Sequence, residues 1–407
     1  MKLKPSITLP LFLLILFYFQ TEIYAQTSAF PRFLPDPKAL EYFYLGENDV
    51  YSWTSLAEIS LWASGDTGAA NLERIKTIAQ TIKNSPNLPN NNKDIAEFVL
   101  NYMHKNILRS YSLYQTRIDT LLSTGRYNCV SSSFLYSILC ESLGIKTFGV
   151  VTRDHAFVII PAGETEIDVE TTTAYGFDPG NRREFHDQFG KVTGFTYVPA
   201  GNYRDRETIS PLQLISLILN NRIAEMERQR RWADAVPIAV DRAALLLGDL
   251  SGASEKKFNF IFTDPRKDLH DRLFNYAASL LRSNREEDCL RWAMTASPLY
   301  PDEERWQESI MAAVNNRITR FFRERKINDA EIFLENNKLH LTQVNYAQLN
   351  SIIKNNKAVD YHNRFAAAWN RRNYDEAERI LNEGLAEFPE SRQLLSDKQI
   401  LEKQRAN

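Results

Sequence analysis

Three residues stand at spacings that could do nucleophilic chemistry. Cys129 follows a Gly125, Asn128 turn and opens a segment whose apolar residues Phe134, Leu135, Ile138, Leu139 and Leu143 recur at helical spacing. Asn128 is a good N-cap, so Cys129 falls at the helix N-terminus, where unpaired amides and the positive end of the dipole favour an anion such as a thiolate. His155 opens an apolar, β-rich run that continues to Ile160, after a first such run from Thr147 to Thr152. A turn at Pro161 to Gly163 leads to Ile167, Asp168 and Val169, where the acid lies on one face of a third strand. Cys on a helix with His and Asp on neighbouring strands is an arrangement of nucleophile, base and orienting acid. Glu170, two residues on and on the same strand face, is the rival orienter.

Taken in order, Gly125, Asn128 and Cys129, a helix ending in Leu143, Gly144 and Ile145, the run His155 to Val158, and Ile167 to Val169 resemble the transglutaminase-like core of the papain-like cysteine enzymes. The resemblance covers roughly residues 90 to 205. It implies Cys129 as nucleophile, His155 as general base and Asp168 as orienting acid, the family pattern favouring Asp168 over Glu170. Many members have Gly two residues before the Cys, where this chain has Tyr127, and the Trp that follows the nucleophile in the animal enzymes is Val130 here. Hydrolysis of a peptide or carboxamide bond is therefore expected ahead of protein cross-linking.

The elements that must position these residues follow from periodicity. Residues 1–25 read as a secretory signal: Lys2 and Lys4 precede an apolar run from Ile7 to Phe19, and Ile23 to Ala25 can precede cleavage before Gln26. That run is short for a membrane span, so no stable membrane anchor is expected and the protein should be periplasmic or secreted. Residues 26–90 form a mostly helical segment packing on the core, with helical patterns at Ser55 to Ala63 and Ala70 to Lys83 and a loop at Asn84 to Asn92. Asp94 to Ser110 is an amphipathic helix, with Ile95, Phe98, Val99, Tyr102, Met103 and Ile107 on one face, that should pack beside the Cys129 helix. His104 lies on its polar side and is expected to be solvated. The core, residues 91–205, closes with a last strand at Phe195 to Pro199.

Beyond it, residues 206–407 keep a 3.6-residue period. Helix pairs recur around Trp232 to Ala235, Glu286 to Cys289, Ile327 to Ala330 and Tyr374 to Ala377, whose last positions lie 54, 41 and 47 residues apart. The final unit, from Ala368 to Pro389, resembles a tetratricopeptide repeat. The expected fold class is therefore α+β: a papain/transglutaminase-like core of a Cys-bearing helix on an antiparallel sheet, then an all-α repeat domain. It would dock through Pro211 to Leu219 and hold a protein or peptide partner or substrate.

The 49 basic and 51 acidic side chains leave no large net field, and nothing points to nucleic acid. The six histidines, His104, His155, His186, His270, His340 and His362, form no metal-binding spacing, and there is no glycine-rich phosphate loop; neither a metal nor a cofactor is expected. The three cysteines are Cys129, Cys140 and Cys289. The first two lie roughly 16 Å apart along one helix at about 1.5 Å per residue and cannot bridge.

Overall fold

The computed structural model describes residues 30–48, 51–152, 155–180, 183–194, 206–250 and 264–406. The segment expected to be a secretory signal, residues 1–25, and the strand expected at 195–199 lie outside these. The described chain is α+β, with sixteen helices and a small antiparallel sheet, and it divides into two compact units at Leu273/Phe274. No described helix is long and apolar enough to cross a membrane.

In the first unit, helices α1 (Pro37–Glu47), α2 (Trp53–Ser64), α3 (Ala69–Lys83) and α4 (Asn92–Asn106) precede a two-residue parallel pairing of β1 (Ser110–Tyr111) with β2 (Arg126–Tyr127) across the short helix α5 (Ile118–Thr124). Helix α6 (Cys129–Glu141) comes next. Every side chain from Cys129 to Cys140 is buried, the four serines Ser131, Ser132, Ser133 and Ser137 included. Such a helix is a central strut, and its polar groups must find partners inside the protein. Tyr136 donates its hydroxyl to the Ala96 carbonyl at 3.0 Å, which fixes α4 beside α6 as expected. The buried stripe of α4 is Ala96, Val99, Leu100 and Met103, one step round from the expected face, with Ile95, Phe98 and Tyr102 flanking it.

The sheet has the order β5, β4, β3, β6, formed by β3 (Phe148–Val151), β4 (Ala156–Ala162), β5 (Thr165–Val169) and β6 (Glu207–Ile209), all antiparallel. Strand β4 runs on to Ala162, and the hairpin to β5 is the two-residue turn Gly163, Glu164, with Gly163 at a φ of 67°. The sequence-expected turn at Pro161 to Gly163 thus lies two residues too early. One face of the sheet, Val158, Ile160, Ile167 and Val169, joins Leu135, Tyr136, Leu139 and Cys140 of α6 in one core. On the opposite face Val150, Phe157 and Ile159 form a small core of their own.

Helix α7 (Arg183–Thr193) follows β5, and α8 (Pro211–Arg228) and α9 (Trp232–Leu247) follow β6. Leu212, Leu214, Ile215, Ile218 and Leu219 of α8 enter the same core as Leu56, Ile59, Phe134 and Ile138. The docking expected for Pro211 to Leu219 is present. It also makes α8 and α9 part of the first unit, so the compact division falls well beyond residue 205, because those leucines and isoleucines bury their apolar surface in the core they share with α2 and α6.

A helix, α10 (Pro265–Arg282), spans the division. The second unit continues with α11 (Glu286–Ala296), α12 (Glu304–Arg323), α13 (Ile327–Asn336), α14 (Gln343–Asn370), α15 (Tyr374–Glu387) and α16 (Arg392–Ala406), each in contact with the next in sequence. The weak sequence repeat has a structural counterpart at four corners. Arg230, Asn284, Arg325 and Arg372 each take a positive φ, between 56° and 61°, two residues before a helix begins. The next amide in each case bonds back five residues, Arg231 to Met226, Arg285 to Leu280, Lys326 to Phe321 and Asn373 to Ala368, at 2.8–3.0 Å. This is the Schellman closure of a helix end, repeated four times. Ala235, Cys289, Ala330 and Ala377, the recurring small positions, are all at most 2 % exposed. Cys289 therefore fills a close-packed helix crossing that its counterparts fill with Ala.

Candidate active site

Helix α6 holds Cys129 at its first position. Asn128 caps it reciprocally: its side chain accepts from the Ser131 amide at 3.0 Å while its own amide donates to Ser131 Oγ at 3.0 Å. The Asn128 side-chain amide also donates to the Leu113 carbonyl at 3.1 Å, which ties the turn after β1 to the helix N-terminus. The Cys129 N–H belongs to the first turn, whose amides have no partner within the helix.

His155 sits where the β3–β4 hairpin closes, its carbonyl accepting from the Thr152 amide at 2.9 Å. The ring is within interacting reach of the Cys129 thiol. Its Nε2 lies 2.9 and 2.8 Å from the two carboxylate oxygens of Glu170, which leaves Nδ1 for the sulfur. Phe157 lies parallel to the ring and Phe189 of α7 meets it edge-on, with centroids 6.2 and 5.4 Å away. Burial by itself lowers the pKa of this imidazole; the charge of Glu170 and the hydrogen bonds and charge at Cys129 and Glu170 outweigh it and hold the group well above its ordinary value. His155 is thus biased towards its imidazolium form, set between the Cys129 sulfur and the Glu170 carboxylate.

The acid that meets the His155 ring is Glu170, whereas Asp168, expected there, lies elsewhere. Asp168 pairs with Arg206, its two oxygens 2.6 and 3.1 Å from the guanidinium, and Arg206 in turn lies over the Phe157 ring. The sheet register gives the reason. Asp168 is opposite Ile159, four residues along β4 from His155, or roughly 13 Å at the strand rise. Continuing that register sets Glu170 opposite Phe157, two residues from His155 and roughly 7 Å away, a diagonal that a Glu side chain spans.

Past Val169 the chain leaves the sheet, and a set of bonds fixes the loop that follows Glu170. Thr171 Oγ1 meets Ser132 Oγ at 2.8 Å and Ser133 Oγ at 3.0 Å, so two of the buried serines of α6 serve to hold it. Tyr127 donates its hydroxyl to the Thr172 carbonyl at 3.0 Å, and the ring of His104 reaches the Thr171 carbonyl at 3.1 Å through Nε2. The Glu170 amide bonds the Gly176 carbonyl at 2.8 Å, and a Cβ on Gly176 would stand 1.8 Å from the Glu170 carbonyl oxygen, so only glycine allows this approach. His104, expected to be solvated, is a half-buried clamp, and burial lowers its pKa to about 4 against the opposing effect of the Thr171 bond.

Tyr111 is a residue that periodicity and spacing do not single out. The β1–β2 register sets it beside Tyr127, with the rings edge-on at 5.9 Å, and its hydroxyl falls within reach of the Cys129 sulfur. The other two thiols differ in kind. Cys140 is buried beside the Tyr136 hydroxyl and its pKa is raised far above the ordinary thiol value by burial, while burial pushes Cys289 up to about 12. Among the described residues no three His, Cys, Asp or Glu side chains stand together in an arrangement that could hold a metal ion.

Comparison with family models, with curated proteins and with solved structures returns no match.

Proposed function

We propose that the chain is an exported thiol enzyme of the transglutaminase-like, papain-like type, acting on peptide or carboxamide bonds, with its helical repeats holding a protein or peptide substrate. The observation that carries this reading is the His155 imidazole set between the Cys129 thiol and the buried carboxylate of Glu170, which is 1 % exposed. The first 25 residues support export, and the three repeated helix corners of the second unit, at Asn284, Arg325 and Arg372, support a repeat surface.

In the reaction, Cys129 Sγ attacks the carbonyl carbon. The S–C bond forms, the π pair moves to the carbonyl oxygen, and the thiol proton resides on His155 Nδ1. Glu170 accepts the hydrogen bond of Nε2–H throughout, without taking its proton, and fixes the ring orientation, as the third member of a triad does. Collapse of the tetrahedral species breaks the C–N bond, His155 gives its proton to the departing amine, and a thioester remains. Water, giving a proton to His155, then bonds to the thioester carbon; the S–C bond breaks, the acid leaves, and the sulfur recovers the proton it shares with His155, while an amine in place of water would give transfer. Val130, standing where the animal cross-linking enzymes carry Trp, favours water. Exposed Leu113 and Tyr175, on the loops that adjoin Asn128 and Glu170, supply an apolar rim suited to a peptide side chain.

The test is alkylation at pH 6 by substoichiometric iodoacetamide followed by peptide mapping, since the thiolate is the species that reacts. Cys129 is expected to be labelled well ahead of Cys140 and Cys289. Equal or absent labelling at Cys129 would replace the enzyme with a non-catalytic protein-binding scaffold on the same core.

A further inference from the structure

Among the described residues both His155 and Tyr111 stand within interacting reach of the sulfur, and the reaction above uses only His155. The position of Tyr111 is set by main-chain geometry rather than by side-chain chance: the Ser112 amide bonds the Tyr127 carbonyl at 2.7 Å, the Arg109 amide bonds the Gly125 carbonyl at 2.8 Å, and Asn128 holds the Leu113 carbonyl. Three ties, at residues 109, 112 and 113, therefore lock this stretch against the segment that leads into Cys129. The ring packs edge-on against Tyr127, whose own hydroxyl is committed to Thr172, so the two phenols are not interchangeable.

We propose that the Tyr111 hydroxyl is the second oxyanion donor of the site, acting beside the Cys129 N–H. The inference rests on the acyl-transfer reading. A donor within reach of Sγ in the resting protein is also within reach of the oxygen of a carbonyl whose carbon has bonded to that sulfur. As the tetrahedral species forms, the phenol O–H turns from sulfur to the oxygen that has gained the negative charge, and no proton is transferred. Burial, then the nearby Cys129 and Glu170, raise the pKa of the phenol, which keeps it a donor across the working range. Such preorganised donors act on the species in which charge develops, and so on acylation rather than on every reaction of the thiol.

That distinction gives the experiment, made on the full chain. Tyr111→Phe keeps the ring against Tyr127 and removes only the hydroxyl; a thermal melt verifies folding. Two rates are measured at one pH, the burst of acylation by p-nitrophenyl acetate and the alkylation by iodoacetamide, which passes through no oxyanion. Acylation is expected to fall by about 10²-fold, the usual loss for one donor, with alkylation changed by less than about threefold. Tyr111→His, which retains a ring and a donor, should recover part of the acylation rate, and it serves in its own right should the Phe variant melt early. Equal falls in both rates would overturn the proposal in favour of support for the thiolate, and unchanged acylation would overturn it in favour of packing alone. If the wild-type protein is alkylated at Cys129 but never acylated, the acyl-transfer reading fails and takes this role with it. If it is acylated and Tyr111→Phe matches it, only the role of Tyr111 fails.

Discussion

Both carboxylate oxygens of Glu170 stand within 2.9 Å of His155 Nε2, whereas Asp168, two residues earlier, spends both of its oxygens on Arg206. One acid faces the ring that meets the sulfur, and the other holds a guanidinium that lies over Phe157, the ring stacked on that same imidazole.

The two acids should therefore separate under mutation. Glu170→Gln removes the charge that keeps His155 protonated and is expected to lower acylation by p-nitrophenyl acetate on the order of 10²- to 10⁴-fold, the range set by losing the third member of a triad. Asp168→Asn should leave that rate within about twofold and lower stability by no more than roughly 1 kcal/mol, since the pair with Arg206 is partly exposed. Burst kinetics and thermal melts on the two variants decide it. A large kinetic loss in Asp168→Asn with a small one in Glu170→Gln would reverse the assignment.

The two site histidines should give opposite pH dependence. His155 has a raised folded pKa, so the stability it contributes is complete below its unfolded value near ~6.5 and is lost as pH rises through the folded value. His104 has a folded pKa lowered to about 4, so its contribution is present above ~6.5 and drains away as pH falls towards 4. His104→Gln keeps an amide that can donate to the Thr171 carbonyl but cannot titrate. Denaturant melts at pH 7 and pH 4 should show the wild type losing more stability than this variant over that interval, by roughly 2–3 kcal/mol. Parallel losses would mean that His104 is solvated after all.

The helix corners predict a gain. Arg325 and Arg372 hold positive φ values of 58° and 61°, a conformation that costs a residue with a Cβ and suits glycine. Arg372→Gly should raise stability by about 0.5–1 kcal/mol, after allowing for the greater freedom of glycine in the unfolded chain. Asn284→Gly should gain less, because Asn tolerates that region better. Equilibrium urea unfolding measures both. A loss at Arg372 would show that its side chain contributes more than the backbone costs.

The sequence by itself determined the local parts of this protein. Asn128 with Ser131 wrote a reciprocal cap, the apolar spacing from Phe134 to Leu143 wrote a buried helix, and two β-rich runs bracketing residues 153–154 wrote the hairpin that brings His155 forward. Each is a relation among residues a few positions apart, which propensity and capping chemistry decide. The recurring positions Ala235, Cys289, Ala330 and Ala377 were visible for the same reason. Which acid serves His155 was settled by the register of β4 against β5, and that register hinges on whether the chain turns at Pro161 or two residues later at Gly163 and Glu164. A glycine followed by a polar residue is a two-residue hairpin signal, and from that turn the pairing of residue 159 with 168 follows, together with the reach of Glu170. Nothing of that kind announces the contacts of Tyr111 or His104, and the apolar run Pro211 to Leu219 announced that it docks but not which core residues it meets. Their partners lie far along the chain, and only closure of the tertiary structure brings Tyr111 to Cys129, His104 to Thr171 and Leu214 into the core of Phe134 and Ile138.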